Sequence, residues 1–406
     1  MIEKFLLGMK KMETKKSHII WLAVLLGIVS ATGPLSMDLY MPALPQMMAT
    51  FHTNASMMQL SITACLIGLA VGQVIIGPLS DRYGRKPLLI IGFLLFALSS
   101  TMIAFIPNIY ALISLRLVQG IAGATGQVIS RAVARDMFEG KILTRFYSLL
   151  TAVNGIFPII APIFGGLIIK ITDWQGIFMI LGVIGIIIVL MCIFGIPETL
   201  SPDNRSTGSL FQSEVQMFHL LKDPKFFRLV LATGLVYGSL FSYISSSSFV
   251  FQSQFHMSVT DFSFLYAING VAIGVGSALP GRLVMKTDSI KLLKEFIKAT
   301  IVASLILTLS AIWFKNLLIV MILVFIILLF IGALLTLSTT VAMNAADRNA
   351  GSASALVGLT QNAMGGIVSP LVGIMGENTY LPMGLIILIA MVLINMLLVK
   401  PKRVKK

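Results

Sequence analysis

Two ionisable residues stand inside segments otherwise suited to hydrocarbon. One is Asp38, in Ser36-Met37-Asp38-Leu39-Tyr40-Met41-Pro42; the other is Arg116, in Leu115-Arg116-Leu117-Val118-Gln119-Gly120. A charged side chain at the bilayer centre costs roughly 2.5–3.5 kcal/mol on insertion scales, so neither residue type is idle there by default. A guanidinium keeps its proton in proteins, whereas a carboxylate exchanges one, so Asp38 is the titrating member of the pair. The chemistry on offer is reversible proton uptake inside the membrane. The alternative is a structural ion pair that only orients two helices.

The elements that must position these residues follow from composition. The 406 residues are 57% hydrophobic and 11% charged, with a mean hydropathy of +0.95. A soluble domain carries about 25% charged residues, and repeated apolar runs of about 20 residues mark membrane-spanning helices. The expected spans are 19–41, 57–79, 87–105, 109–133, 147–169 and 176–196, then 227–250, 262–284, 296–313, 317–341, 352–375 and 380–399. The fold class is therefore all-α: a polytopic membrane protein of about twelve transmembrane helices. The first span lacks a small-residue cleavage site after its lysines, and it reads as a retained helix.

A net charge of +14 would suit a nucleic-acid binder, but the placement of the charge argues against one. Of the 30 Lys and Arg residues, 27 fall on one side of the expected spans; Lys170 and Lys315 fall on the other, and Arg116 lies within. The positive-inside rule puts the 27, and with them both termini, in the cytoplasm, beside anionic lipid. In that topology Arg116 is about seven residues from the outer end of its helix, roughly 10 Å deep, and Asp38 also falls in the outer half. Their depths allow contact, direct or through water. Cys65 and Cys192 both lie in apolar spans and read as small packing residues.

A polar stretch from Glu198 to Lys225 divides the chain into a first bundle (1–197), a linker (198–226) and a second bundle (227–406). Within the linker, Leu210, Phe211, Val215, Phe218 and Leu221 are spaced as the apolar stripe of a surface helix. Repetition supports the division. Asn154, Pro162 and Gly165 match Asn362, Pro370 and Gly373 at one offset of 208 residues, and Gly68 and Gly72 echo Gly270 and Gly274. Two pseudo-symmetric six-helix bundles with a pathway between them are expected.

Two further segments carry function. After the second span, the loop Gly77-Pro78-Leu79-Ser80-Asp81-Arg82-Tyr83-Gly84-Arg85-Lys86 combines glycines for close approach and a tight turn with an acid that can cap a helix. Arg85 is expected to reach Asp136 or Glu139, making a cytoplasmic latch between the halves that breaks on opening inward; the plain alternative is an ordinary basic loop. In the fifth span, Asn154-Gly155-Ile156-Phe157-Pro158-Ile159-Ile160-Ala161-Pro162-Ile163-Phe164-Gly165-Gly166 offers a kinked helix that admits close neighbours. Ordinary packing is the competing reading.

Together these motifs resemble the major facilitator superfamily, and within it the twelve-helix drug:proton antiporters of the Bcr/CflA group, the bicyclomycin- and chloramphenicol-resistance type. Asp38 to Pro45 is similar to that group's first-helix signature, and Gly77, Asp81, Arg82, Gly84, Arg85 and Lys86 to the superfamily's loop motif. Arg116, Gln119 and Gly120 resemble the helix-4 motif linked to proton coupling; Pro162, Gly165 and Gly166, with Gly155 and Pro158 upstream, resemble the antiporter motif. Arg348 to Ala355 resembles the group's start of helix 11. Ala161 stands where the antiporter motif usually has Gly, and 280–286 is a degenerate second copy of the loop motif lacking the acid. The resemblance implies the major facilitator fold in a bacterial cytoplasmic membrane, working as a monomer on a small-molecule substrate and protons, without cofactor or nucleic acid.

Carriers of that layout bind near the midplane between the halves. The candidate contacts are Tyr40, Met41, Gln73, Gln119, Gln127 and Asn154 in the first half. In the second they are Tyr237, Tyr243, Asn269, Thr336, Thr340, Gln361 and Asn362, with hydroxyls at Ser245 to Ser248. Each is otherwise a helix–helix hydrogen bond. With Asp38 the only deep acid, neutral or cationic amphiphiles suit the site. Four scattered histidines give no metal-ligand spacing, so no metal is expected and a membrane enzyme is disfavoured. A receptor or channel does not explain two repeated halves. An importer, or an exporter of a specific metabolite, remains the alternative to drug efflux.

Overall fold

The computed structural model describes residues 16–138, 140–205, 220–345, 350–375 and 378–398. Helix is the one regular secondary structure among those residues. The first six long helices are α1 (Lys16–Asp38), α2 (Ala55–Tyr83), α3 (Arg85–Ile103), α4 (Ile109–Met137), α5 (Gly140–Ile171) and α6 (Trp174–Gly195). The second six are α7 (Pro224–Ser248), α8 (Val259–Leu283), α9 (Ser289–Trp313), α10 (Leu317–Asn344), α11 (Ala350–Val372) and α12 (Leu381–Leu398). Ten are long and apolar enough to cross a membrane over their described residues; α5 and α11 carry shorter apolar stretches, Ile159–Ile171 and Leu356–Val372.

Helix starts are written in the sequence as polar caps. Asn54, Asn108 and Asn316 accept the amides of Met57, Ala111 and Ile319 at 2.9, 3.0 and 3.2 Å, opening α2, α4 and α10. Asp288 accepts two amides at the start of α9, and Ser258 accepts Asp261 N at the start of α8. These bonds satisfy donors that a helix N-terminus leaves orphaned.

Two expected boundaries shift, each with functional weight. The first helix stops at Asp38 rather than at 41. Pro42 has no N–H and disfavours helix in the residue before it, and the chain turns through a 3-10 segment, Met41–Ala43, into a short helix, Leu44–Thr50. The second helix runs on to Tyr83, so most of the expected loop motif is helical and Gly84 alone joins α2 to α3. The expected surface helix over 210–221 falls almost wholly outside the described residues, as do Glu139, Arg348, Asn349 and most terminal lysines.

The two sets of six pack by one repeated scheme. In the first set α1 packs on α4 and α5, α2 on α4, and α3 on α4 and α6. In the second α7 packs on α10 and α11, α8 on α10, and α9 on α10 and α12. The sets meet along α2 against α11 and α5 against α8, pairs that the same pseudo-symmetry relates. Large apolar side chains such as Ile91, Leu98, Phe194, Val302, Leu318 and Met396 are exposed around the perimeter, as a lipid-facing surface requires. The buried polar side chains, including Asp38, Arg116, Gln119 and Asn269, lie inside.

Candidate functional site

Asp38 ends α1 at the joint between the halves. It is buried, and Tyr266 Oη on α8 donates to its Oδ1 at 3.3 Å. Tyr243, stacked on Tyr266 with ring centroids 5.7 Å apart, and Tyr237 both lie within electrostatic reach of the carboxylate. Asn269 Nδ2 donates to Tyr243 Oη at 3.0 Å, while Asn269 Oδ1 has no partner. Thus α8 presents Tyr266 and Asn269, three residues apart on one face, to a carboxylate from the opposite half. Tyr237, Tyr243 and Asn269 were legible as candidates. Tyr266 was not singled out, although its spacing from Asn269 is the signal that finds it.

The contact that their depths allow between Asp38 and Arg116 is not a direct one: no ion pair joins them among the described residues. Arg116 is completely buried and faces elsewhere. Its Nη1 donates to Gln119 Oε1 at 2.6 Å and to the Ser36 carbonyl at 3.1 Å, and its guanidinium carbon lies 4.4 Å from the centroid of the Tyr40 ring. Among the described residues, Nε and Nη2 have no hydrogen-bond partner. Gln119 is held in turn by Ser100 Oγ at 2.7 Å, and Tyr40 Oη meets Ser61 Oγ at 3.1 Å. The reason for the difference is the end of α1 at Asp38. Beyond it the chain turns, Tyr40 covers the guanidinium, and the carboxylate faces α8.

Two glycines set this geometry by close approach. A Cβ on Gly120 would overlap the Cys65 carbonyl oxygen, so α4 lies against α2 within the Arg116 layer. A Cβ on Gly165 would overlap the Leu39 carbonyl oxygen, one residue past Asp38. Neighbouring Gly166 faces Ser263 on α8, so the paired glycines of α5 touch both sides of the joint. Pro162 is buried beside them. Asn154, Gly155 and Pro158 are placed within α5, but their side chains lie outside the described set.

The remaining candidates are spread along the interior. Met41 is buried in the 3-10 turn. Half-buried Gln127 accepts from Gln73 Nε2 at 3.0 Å, and half-buried Gln361 donates to Thr339 Oγ1 at 3.5 Å.

At the opposite end, Arg85 Nη1 pairs with Asp81 at 2.6 Å and Arg85 Nε with Asp136 at 3.0 Å. Arg85 Nη1 also donates to Ser80 Oγ. Glu198, past the end of α6, accepts the amides of Arg85, Lys86 and Leu200 at 3.0, 3.1 and 3.0 Å. Thr199 Oγ1 donates to Asp136 at 3.1 Å, and Lys86 Nζ to the Ile193 carbonyl at 2.7 Å. Gly84 has φ +101°, a conformation only glycine adopts readily, and a side chain there would strike Glu198. Arg82 is exposed beside the Tyr83 ring.

These contacts all join the first six helices to one another or to the chain just past α6, so in this conformation the network braces one half rather than joining two. Asp81 pairs with Arg85, one turn on, instead of capping a neighbouring helix. Gly77 is also not a site of close approach, since the nearest atom to an added Cβ is Val128 Cγ1 at 4.0 Å. Glu198 was read only as the opening of the polar stretch. The signal it gave was a carboxylate just past a helix end, beside a helix start that has no side-chain cap of its own.

Between the halves, the described hydrogen bonds gather at the end away from the basic loops. Gln59 Nε2 donates to the Ser245 carbonyl at 3.0 Å, Thr63 Oγ1 to Gly366 O at 2.9 Å and Ser56 Oγ to Pro370 O at 3.3 Å. Gln252 Nε2, in the π-helical turn Phe249–Gln254 that follows α7, donates to Pro42 O at 3.2 Å. With Tyr266 to Asp38, they form a one-sided seam.

A buried carboxylate where two repeated six-helix sets meet is a carrier's arrangement, and comparison with known proteins agrees. The profile of the Major Facilitator Superfamily matches residues 26–370, and the chain belongs to that family. It is 40% identical over 374 residues to the uncharacterized MFS-type transporter YdgK of Bacillus subtilis (strain 168), covering 92% of this chain and 93% of that one. It is 29% identical over 380 residues to the bicyclomycin resistance protein homolog of Haemophilus influenzae, covering 92% and 93%. Among solved structures, an inward-facing, occupied bacterial homolog of the human lysosomal transporter Spinster aligns with a TM-score of 0.76 at 14% identity, over 95% of this chain and 96% of that one, which fixes the fold. The resemblance to the bicyclomycin-resistance type of antiporter is borne out by these relatives, as are the all-α membrane architecture and the major facilitator fold. The protein is a multi-pass transporter that acts on a small-molecule substrate within a lipid bilayer.

Proposed function

We propose that this protein exports drug-like or small amphiphilic compounds across the bacterial cytoplasmic membrane in exchange for protons, by alternating access, as a monomer. The observation that carries the reading is Asp38, a carboxylate buried at the joint of the halves and held by a neutral tyrosine. Among the described residues no fixed cation pairs with it, so it can be neutralised by a proton without stranding a buried partner charge. Protons and substrate then compete for one site. The bicyclomycin resistance homolog among the relatives supports a drug-like substrate.

With the 27 basic residues and both termini on the cytoplasmic side, the seam faces outward and the structure is closed to the outside. The half-buried Gln73, Gln127, Tyr237 and Gln361 then line the approach from the cytoplasm, with Tyr40, Met41, Tyr243 and Asn269 above them. Arg116, Gln119 and Tyr40 form a fixed positive layer beside the proton site. On this reading the ion network around Arg85 contacts the second half only when the cytoplasmic side closes.

The test is proton flux into liposomes under an imposed pH gradient, on addition of drugs and metabolites, for wild type and Asp38→Asn. Substrate-evoked flux lost in Asp38→Asn is expected. Flux that survives the substitution removes Asp38 from coupling, and substrate accumulation driven by the proton gradient makes the carrier an importer.

A further inference from the structure

We infer that Tyr266 is the positioning residue through which the second half of the carrier reads the proton on Asp38: the ionised carboxylate, taking the Tyr266 hydroxyl proton as a hydrogen bond, clasps the outer ends of α1 and α8 together. The inference rests on the proposed role of Asp38 as the proton site.

Of the described cross-half bonds, Tyr266 to Asp38 is the one with an ionisable side chain as acceptor. The other four end on backbone carbonyls at Ser245, Gly366, Pro370 and Pro42, and their strength does not follow pH. A hydroxyl donating to a carboxylate makes a bond roughly twice as strong as one between neutral groups. Tyr266 has little freedom to bond elsewhere. It is buried, its ring is stacked on Tyr243 and packed edge-on against Phe262, and its hydroxyl is aimed at Oδ1. On the α1 side, Gly165 fixes the backbone one residue beyond Asp38.

The groups that face the carboxylate from the surrounding helices are few. Tyr266 from α8 bonds to it, and Tyr237 and Tyr243 from α7 lie within its electrostatic reach; Tyr40 from beyond the end of α1, Arg116 from α4 and Cys65 from α2 belong to the neighbouring Arg116 layer. Described α5 residues at this level, Ile159 to Gly166, bring no ionisable group. The arginine is engaged by Gln119, Ser36 and the Tyr40 ring. Tyrosine is therefore the residue that responds when the proton leaves.

The consequence for exchange is specific. An empty carrier with ionised Asp38 stays closed to the outside, the one state whose free turnover would let protons leak without substrate. Protonation weakens the clasp, and so does a substrate that inserts between carboxylate and hydroxyl.

The test needs no substrate. Ser56→Cys places a thiol on the seam, and the native Cys65 and Cys192 are buried. Its labelling by an impermeant maleimide from outside is measured in proteoliposomes at acidic and alkaline pH. Each rate is divided by that of the same cysteine in Asp38→Asn protein, which cancels the thiol's own titration. A clasp whose bond strength roughly halves on protonation predicts normalised labelling at least about threefold faster at acidic pH. Tyr266→Phe should abolish that difference, Tyr243→Phe should keep it, and Tyr266→Phe should admit protons without substrate, a leak removed by adding Asp38→Asn. Labelling that ignores pH in the otherwise unaltered Ser56→Cys protein, or a pH dependence that survives Tyr266→Phe, overturns the inference. Should Tyr266→Phe not fold, Phe262→Leu, which loosens the same ring, must shrink the difference or the inference fails. A pH-dependent seam in a protein that shows no substrate-evoked flux would instead count against the exchange reading alone.

Discussion

Arg116 lies over the ring of Tyr40: the guanidinium carbon is 4.4 Å from the ring centroid, and the ring is fully buried. Two nitrogens of the guanidinium have no hydrogen-bond partner among the described residues, so the ring face is a principal compensation for a charge out of water. Replacing Tyr40 by Leu removes that face and strands the cation, and should cost on the order of 2 kcal/mol. Tyr40→Phe keeps the ring and loses only the bond to Ser61, and should cost about 0.5–1.5 kcal/mol. Thermal unfolding in detergent ranks the two, and equal losses would show that the ring face contributes nothing.

Gly165 and Gly77 were both read as close-approach glycines, and the structure separates them. Gly165→Ala drives a methyl into the Leu39 carbonyl beside Asp38 and should destabilise by about 1–3 kcal/mol, with transport impaired at least tenfold. Gly77→Ala has 4.0 Å to its nearest neighbour and should stay within about 0.5 kcal/mol of wild type in this state. Melting temperatures of the two variants decide the matter.

Glu198 accepts three backbone amides at the start of α3 and just beyond itself. Glu198→Ala leaves them without that acceptor and should lower stability by roughly 1–3 kcal/mol, whereas Glu198→Gln keeps one oxygen and should lose less. Hydrogen exchange at Arg85 and Lys86 is the direct readout, and unchanged protection there would rule out the capping role.

Gln59 bonds across the seam to the Ser245 carbonyl. Removing it by Gln59→Ala should shift the balance toward the outward-open form by about 0.5–1.5 kcal/mol, roughly two- to tenfold in population. Spin-label distances between the basic-side ends of α4 and α10 should show the shorter population grow. No change would mean that the seam is held by packing alone.

The architecture was legible because a bilayer demands long apolar runs and sorts basic loops to one side, and both rules act on sequence directly. The acid proposed as the proton site was legible for the same reason: Asp38 stands out against hydrocarbon. Its partner was not. A charge-pairing rule selects Arg116, but partner choice depends on where α1 stops, and a proline four residues beyond Asp38 sets that end. The helical nature of the loop motif was missed because Asp81 and Arg82 look like solvent residues. They are in fact the last turn of a helix that ends only at a positive-φ glycine. Tyr266 required three dimensions, since nothing local marks a tyrosine as the mate of an acid 228 residues away.

The seam also sets an energy scale for the whole machine. Five bonds among the described residues fasten it, each contributing about 0.5–1.5 kcal/mol net, so together they are worth only a few kcal/mol. One elementary charge crossing 100 mV releases about 2.3 kcal/mol, the same order. If protons drive it as proposed, a clamshell closed along so light an edge is matched to its fuel: a single ion falling through the membrane voltage can tip it, and an edge several bonds stronger would stall.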